Sequence, residues 1–124
     1  MSSSPFTRYF LFTRTNPRVS DYELVVRVAN KIDAHLGYAT VYNGGTRVLK
    51  GFIVLRGPRT FVGTLCKHFP NFLLFAVDAM ETYFDFNLDS VPDGVTMVNE
   101  HPFQEVRKTL FKDKNSLAEF FKSH

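Results

Sequence analysis

Hydrophobic and polar positions follow two different periods along the chain, and the changes of period mark out its elements. Residues 8–13 form an aromatic, β-rich run that ends before Asn16-Pro17, which predicts a first strand and a turn. Residues 38–42 and 48–55 have the same character on either side of Asn43-Gly44-Gly45-Thr46, which indicates an antiparallel hairpin. Residues 71–77 predict a further strand, and residues 81–88 are a candidate for a fifth.

Apolar residues at helical spacing predict helices between and after these strands. Ser20-Asp21-Tyr22-Glu23 has the form of a capping box, and the apolar stripe that follows it extends to Gly37, where the first helix is expected to end. Residues 59–69 predict a second helix, with Phe61 on its buried side, that Pro70 ends. Residues 102–111 and 116–122 predict two C-terminal helices.

This order of elements predicts an α+β fold. Strand, helix, two strands, helix and strand form a split βαβ plan, so we expect a ferredoxin-like sandwich with an antiparallel sheet of four or five strands. Its helices would cover one face, extra C-terminal helices would follow, and the other face would be uncovered. A length of 124 residues suits one domain. We assign residues 1–7 to a flexible N-terminus and residues 8–124 to a single α+β domain.

Charge is distributed unevenly along the chain. Residues 1–67 contain ten Lys or Arg and three acidic residues, a net charge of +7, whereas residues 68–124 contain five and nine, a net charge of −4. A basic half favours contact with nucleic acid, and an acidic half favours a partner or a metal ion. The alternative is that the two halves neutralise each other in the folded protein.

Several classes of protein lack support in the sequence. The longest apolar run, residues 72–77, is far shorter than the roughly 20 residues of a transmembrane helix, so no membrane contact is expected. The first residues do not have the pattern of a secretory signal. Cys66 is the single cysteine and has no zinc-ligand spacing around it, and His35 and His68 fit structural roles near helix ends. We therefore expect an intracellular protein without a metal or another cofactor.

The segment from Leu49 to Leu55 resembles the third-strand motif of RNA-recognition domains, which runs basic, Gly, aromatic, small, aromatic. Lys50, Gly51 and Phe52 match this motif. Val54 stands where the family has its second stacking aromatic residue.

A longer stretch resembles the replication-initiator (Rep, HUH-type) endonuclease domain of small circular single-stranded DNA viruses. Residues 10–17 are similar to its first motif, an aromatic strand that ends in Thr-x-x-Asn-Pro, and residues 47–52 occupy the place of its second motif, Pro-His-Leu-Gln-Gly-Phe. Val48 replaces the histidine of that motif and cannot bind a metal ion. Tyr83 is the nearest match to the family's nucleophile but lacks the lysine that follows it. The resemblance thus implies a Rep-like scaffold without its metal site, in which Tyr83 is a candidate nucleophile or a structural tyrosine.

From both resemblances we expect a non-catalytic nucleic-acid-binding domain of viral or mobile-element type, active in the nucleus or cytoplasm of an infected host cell. It would bind DNA or RNA, with Phe52 stacking on a base. The cations expected to contact phosphates are Arg14, Arg47, Lys50, Arg56, Arg59 and Lys67. One alternative is a small viral accessory protein that binds host or viral proteins without nucleic acid, either as a monomer or as a homodimer. Another is an active nuclease in which His68 or His101 binds a metal ion with Asp78 or Glu81.

Overall fold

The structure is a computed structural model that describes residues 6–56, 58, 60–77, 80–81, 94–99, 108–109 and 114–122. The strands are β1 (Phe6–Thr7), β2 (Tyr9–Thr15), β3 (Ala34–Asn43), β4 (Thr46–Leu55), β5 (Thr60–Phe61), β6 (Leu73–Ala76), β7 (Met80–Glu81), β8 (Thr96–Val98) and β9 (Lys108–Thr109). The helices are α1 (Val19–Lys31), α2 (Val62–Cys66) and α3 (Lys114–Phe120).

The main sheet of the described residues has five strands in the order β6-β2-β4-β3-β8, and all neighbouring strands are antiparallel. The predicted α+β class and antiparallel sheet are confirmed. The fifth strand of this sheet is β8. Of the strand predicted at residues 81–88 only residue 81 is described, at the end of β7, which pairs with β9, and the rest lies outside the described residues. The predicted helix at residues 102–111 lies outside the described residues except for β9, which is a strand.

One face of the sheet is covered by α1. Val25, Val28 and Ala29 of this helix are buried, and they pack against alternate residues of the central strands. The strand residues on this face include Phe10, Phe12, Leu36, Leu49 and Ile53, each with no exposed surface. We call this cluster the first core.

The opposite face is covered over part of its central strands, so the expectation that this face is uncovered is wrong there. Tyr9, Ala39, Phe52 and Val54 form a second core with Phe121, which directly follows α3. Phe120, the last residue of α3, is half-buried against the same cluster. Burying four largely apolar strand residues favours docking of this C-terminal segment onto the face that α1 does not cover.

The first helix differs from its prediction at both ends. It begins at Val19, because the Asp21 carboxylate accepts a hydrogen bond from the Arg18 N–H at 2.8 Å, whereas the prediction placed the capping box at Ser20. It ends at Lys31, since Asp33 adopts the left-handed region with φ of 54° and turns the chain into β3. The predicted end at Gly37 is wrong, because this glycine lies within β3.

The N-terminal segment pairs with the chain after β4. Phe6 and Thr7 of β1 lie opposite Phe61 and Thr60 of β5, within the range 1–7 that the sequence analysis assigns to a flexible end. The Thr7 hydroxyl donates a hydrogen bond to the Val77 carbonyl at 3.0 Å. Residues 60–61 are a strand, so the second helix is limited to residues 62–66, whereas residues 59–69 were predicted.

Candidate nucleic-acid interface

The structure separates the cations that the sequence analysis assigns to phosphate contacts. Arg14 and Arg47 lie at the end of the sheet where β2 leads into α1, since the N–H of Asn16 donates to the Arg47 carbonyl at 2.9 Å. Arg56 directly follows β4 at the opposite end. At about 3.3 Å per residue, the nine steps from Arg47 to Arg56 span about 30 Å. Arg59 lies outside the described residues.

Both arginines at the first end have partners within the protein. Nε of Arg14 donates to the Asp21 carboxylate at 3.2 Å, and its Nη1 donates to the Asn71 carbonyl at 3.4 Å. Nη2 of Arg47 donates to the Pro17 carbonyl at 3.0 Å. These bonds hold the turn between β2 and α1, and the Arg14–Asp21 pair is only 22% and 13% exposed. Both side chains therefore have a structural role.

Lys50 and Phe52 lie under the C-terminal segment. Phe52 has no exposed surface, and its ring contacts those of His35 and Phe121 at centroid distances of 5.6 and 6.2 Å. The expectation that Phe52 stacks on a base fails, because a base needs an exposed ring face. Nζ of Lys50 lies 4.3 Å from the centre of the Phe120 ring, and burial lowers the pKa of this lysine.

A different pair of aromatic rings is exposed at the Arg56 end of the sheet. Phe6 and Phe61 are held opposite each other by the pairing of β1 with β5, with ring centroids 5.3 Å apart and planes tilted by 41°. Phe6 is 52% exposed and Phe61 is 42% exposed, so the prediction that Phe61 faces the core is wrong. Exposed rings of this kind offer a surface on which a flat ligand can stack.

Three exposed cations lie on the segments next to these rings. The Arg8 carbonyl accepts a hydrogen bond from the Leu55 N–H at 2.7 Å, which places Arg8 beside Arg56. Lys67 forms the C-terminal cap of α2, the helix whose N-terminal cap is Phe61. Arg56 pairs with Asp33 at 3.1 Å, in a contact whose side chains are 34% and 71% exposed. We call Phe6, Arg8, Arg56, Phe61 and Lys67 the aromatic–cationic patch.

Only part of this patch is among the residues predicted from the sequence. The prediction includes Arg56 and Lys67 but misses Phe6, Arg8 and Phe61. A signal for the missing residues exists, because Phe6 and Phe61 each lie two residues from an arginine in the sequence. Phe6 and Phe61 come together through the pairing of β1 with β5, and no local sequence pattern predicts this pairing.

The described residues hold no group of three His, Cys, Asp or Glu side chains that could bind a metal ion. Tyr83, His101 and Asp78 lie outside the described part of the chain, as does the Glu81 side chain. His35 is fully buried in β3 rather than at a helix end, and His68 is half-buried in the turn after α2.

Comparison with known proteins identifies no relative: no protein-family model matches the sequence, and no curated protein matches it. Among the helices in the described ranges, none has the length and apolar character needed to cross a membrane.

Proposed function

We propose that this protein is a non-catalytic nucleic-acid-binding protein that uses the aromatic–cationic patch as its contact surface. The supporting observation is the pair of exposed phenylalanine rings with three exposed cations on the neighbouring segments of the chain. Bases stack on exposed aromatic rings with about 1–3 kcal/mol per base. Lys and Arg beside such rings neutralise the phosphates and release their counterions. The patch combines both properties at one end of the sheet.

The strand order supports a ferredoxin-like arrangement for this scaffold. Helix α1 connects β2 to β3, which lie on either side of β4, and this is a split βαβ unit. The segment containing α2 connects β4 to β6, which lie on either side of β2, and so repeats the plan. A viral, Rep-like origin stays a proposal that rests on the motifs at residues 10–17 and 47–52.

A second candidate function, binding of another protein or of a second copy, is favoured by the edge strand β6. Leu73 and Phe75 are 63% and 51% exposed, and they lie on the same face of this strand. The strand carries no charge or proline to discourage pairing with another edge. A dimer in size-exclusion chromatography that Phe75→Lys dissociates would support this function.

The proposed function is tested by fluorescence anisotropy with a labelled 12-nucleotide single strand, as DNA and as RNA. Phe6→Ala removes one stacking ring, so we expect the affinity to fall at least about fivefold. Phe75→Ala is the matched control, because Phe75 has nearly the same exposure outside the patch. Failure of the wild-type protein to bind any strand would refute the proposal. An equal loss of affinity in both variants would contradict a contact confined to the patch, because Phe75 lies on β6.

The same titration at several salt concentrations tests the role of the cations. Contacts from the three cations of the patch predict a slope of about −2 for the logarithm of the affinity against the logarithm of salt, since each contact to a single strand contributes about −0.7. A slope near zero would contradict phosphate contacts by Arg8, Arg56 and Lys67.

A further inference from the structure

A pocket with a volume of about 220 Å³ opens beside the aromatic–cationic patch. It lies where the ends of α1 and β4 meet α2. Its apolar lining comes from Ile32, Leu55 and Leu65, the last two of which are buried. The volume is below the roughly 300–1,000 Å³ of common small-molecule sites, so the pocket suits one flat ring system rather than a larger ligand.

Polar side chains complete the lining of this pocket. The Thr60 hydroxyl donates to the Pro58 carbonyl at 3.2 Å, so its oxygen is left to accept hydrogen bonds. Thr64 is exposed on α2, and its hydroxyl can donate or accept. His68 is half-buried and brings a ring with two nitrogens. An apolar lining with mixed donors and acceptors matches the face and the edge of a nucleobase.

The chain connects the pocket directly to the patch. Leu55 precedes Arg56, and His68 follows Lys67, so two residues that line the pocket are sequence neighbours of exposed cations. Thr60 precedes Phe61 in β5. Asp33 follows Ile32 of the pocket, and the negative charge of its carboxylate is offset by the ion pair with Arg56. The exposed rings, the cations and the pocket lining therefore lie on the same short segments of the chain.

We propose that this pocket receives one unpaired nucleobase and thereby makes the protein selective for single-stranded nucleic acid. The inference rests on the proposed function, since the patch supplies the phosphate and stacking contacts. A base can enter only when it is out of the duplex, because pairing occupies its hydrogen-bonding edge and stacking covers its faces. A duplex would reach the cations alone and bind more weakly.

The test uses the wild-type protein and two variants of α2. Thr64→Leu places a larger apolar side chain in the pocket, and Cys66→Leu introduces the same side chain at an exposed position of that helix outside the pocket lining. Each protein is titrated with a 12-nucleotide single strand, the same strand with abasic residues, and a 12-base-pair duplex. Thermal unfolding of each variant checks that it folds.

We expect Thr64→Leu to weaken binding of the normal strand at least about fivefold. It should leave binding of the abasic strand unchanged, and Cys66→Leu should change neither. Normal binding of the intact strand by Thr64→Leu, or equal affinity of the wild-type protein for the duplex, would overturn the pocket assignment. If Phe6→Ala still weakens binding in that case, the proposed function survives. If the wild-type protein binds none of the three probes, both proposals fail together.

Discussion

Tyr9 is buried in the second core, where its phenol group responds to pH. Burial raises the pKa of Tyr9 above its usual value of 10.0, and the positive charge of Arg8 opposes this shift to a smaller extent. The folded protein therefore keeps the Tyr9 proton at a pH at which the unfolded chain loses it. The unfolded chain binds fewer protons in that range, so the Tyr9 contribution to stability falls as the pH rises above about 10.

Tyr9→Phe removes this ionisation while keeping the ring in the second core. We expect the free energy of unfolding of the wild-type protein, relative to that of Tyr9→Phe, to decrease between pH 8 and pH 11. Urea denaturation at both pH values measures this difference. The lowered pKa of Lys50 has the opposite sign, but Lys50 is present in both proteins and cancels in the comparison. A free-energy difference that is independent of pH would contradict the account.

Gly51 and Phe52 show why a short motif identifies a strand better than a binding site. A Cβ atom on Gly51 would collide with the Phe12 ring and the Gly37 carbonyl oxygen. A Cβ atom on Gly37 would collide with the Phe52 ring, which fills the space above that glycine. Both glycines make room for aromatic rings of the two cores. A Gly-aromatic pair has this packing function with or without a ligand, so the motif alone could not distinguish the two.

At the scale of elements, strands were easier to predict than helix limits. The β-branched and aromatic runs that became β2, β4 and β6 lie between turn residues, and the predicted hairpin at Gly44-Gly45 is confirmed by the pairing of β3 with β4. The end of α1 was misplaced because Leu36 follows Ile32 at helical spacing. In the structure Leu36 reaches the same first core from β3, whose ten residues all pair with β4.

The docking of α3 could not be derived from the sequence. Its apolar residues indicate a packed helix but contain no information on which face of a distant sheet they cover. The second core depends on contacts between Phe121 and residues at least 60 positions earlier in the chain, such as Phe52 and Val54. Such pairing is set by the shape of the complete sheet rather than by local pattern.

Phe121→Ala tests the role of this C-terminal segment. Phe121 is 8% exposed, and truncating a buried phenylalanine costs about 3–5 kcal/mol, so we expect a loss of about 3 kcal/mol in the free energy of unfolding. Urea denaturation provides the measurement, and the half-exposed Phe75→Ala should lose much less. A Phe121→Ala protein as stable as the wild type would show that the second face is not sealed by this residue.

At the scale of the whole molecule, the basic character of residues 1–67 is divided between two ends of the sheet. Arg14 and Arg47 are bonded to the turn between β2 and α1, whereas Arg8, Arg56 and Lys67 are exposed on segments next to the Phe6–Phe61 pair. The charge balance predicted a basic surface in general terms. Its location could not be predicted, because pairing of β1 with β5 brings together Phe6 and Phe61 from opposite ends of that basic half.

The location of the contact surface can be measured residue by residue with NMR spectroscopy of this 14.3 kDa protein. Backbone amide shifts would be followed while a 12-nucleotide single strand is added to ¹⁵N-labelled protein. Contact at the aromatic–cationic patch predicts that the largest changes fall at residues 6–8, 55–56 and 60–68, around the patch and the pocket. Changes concentrated at residues 14–18 and 46–48, or at 73–76, would contradict it, as would an unchanged spectrum at a saturating concentration of the strand.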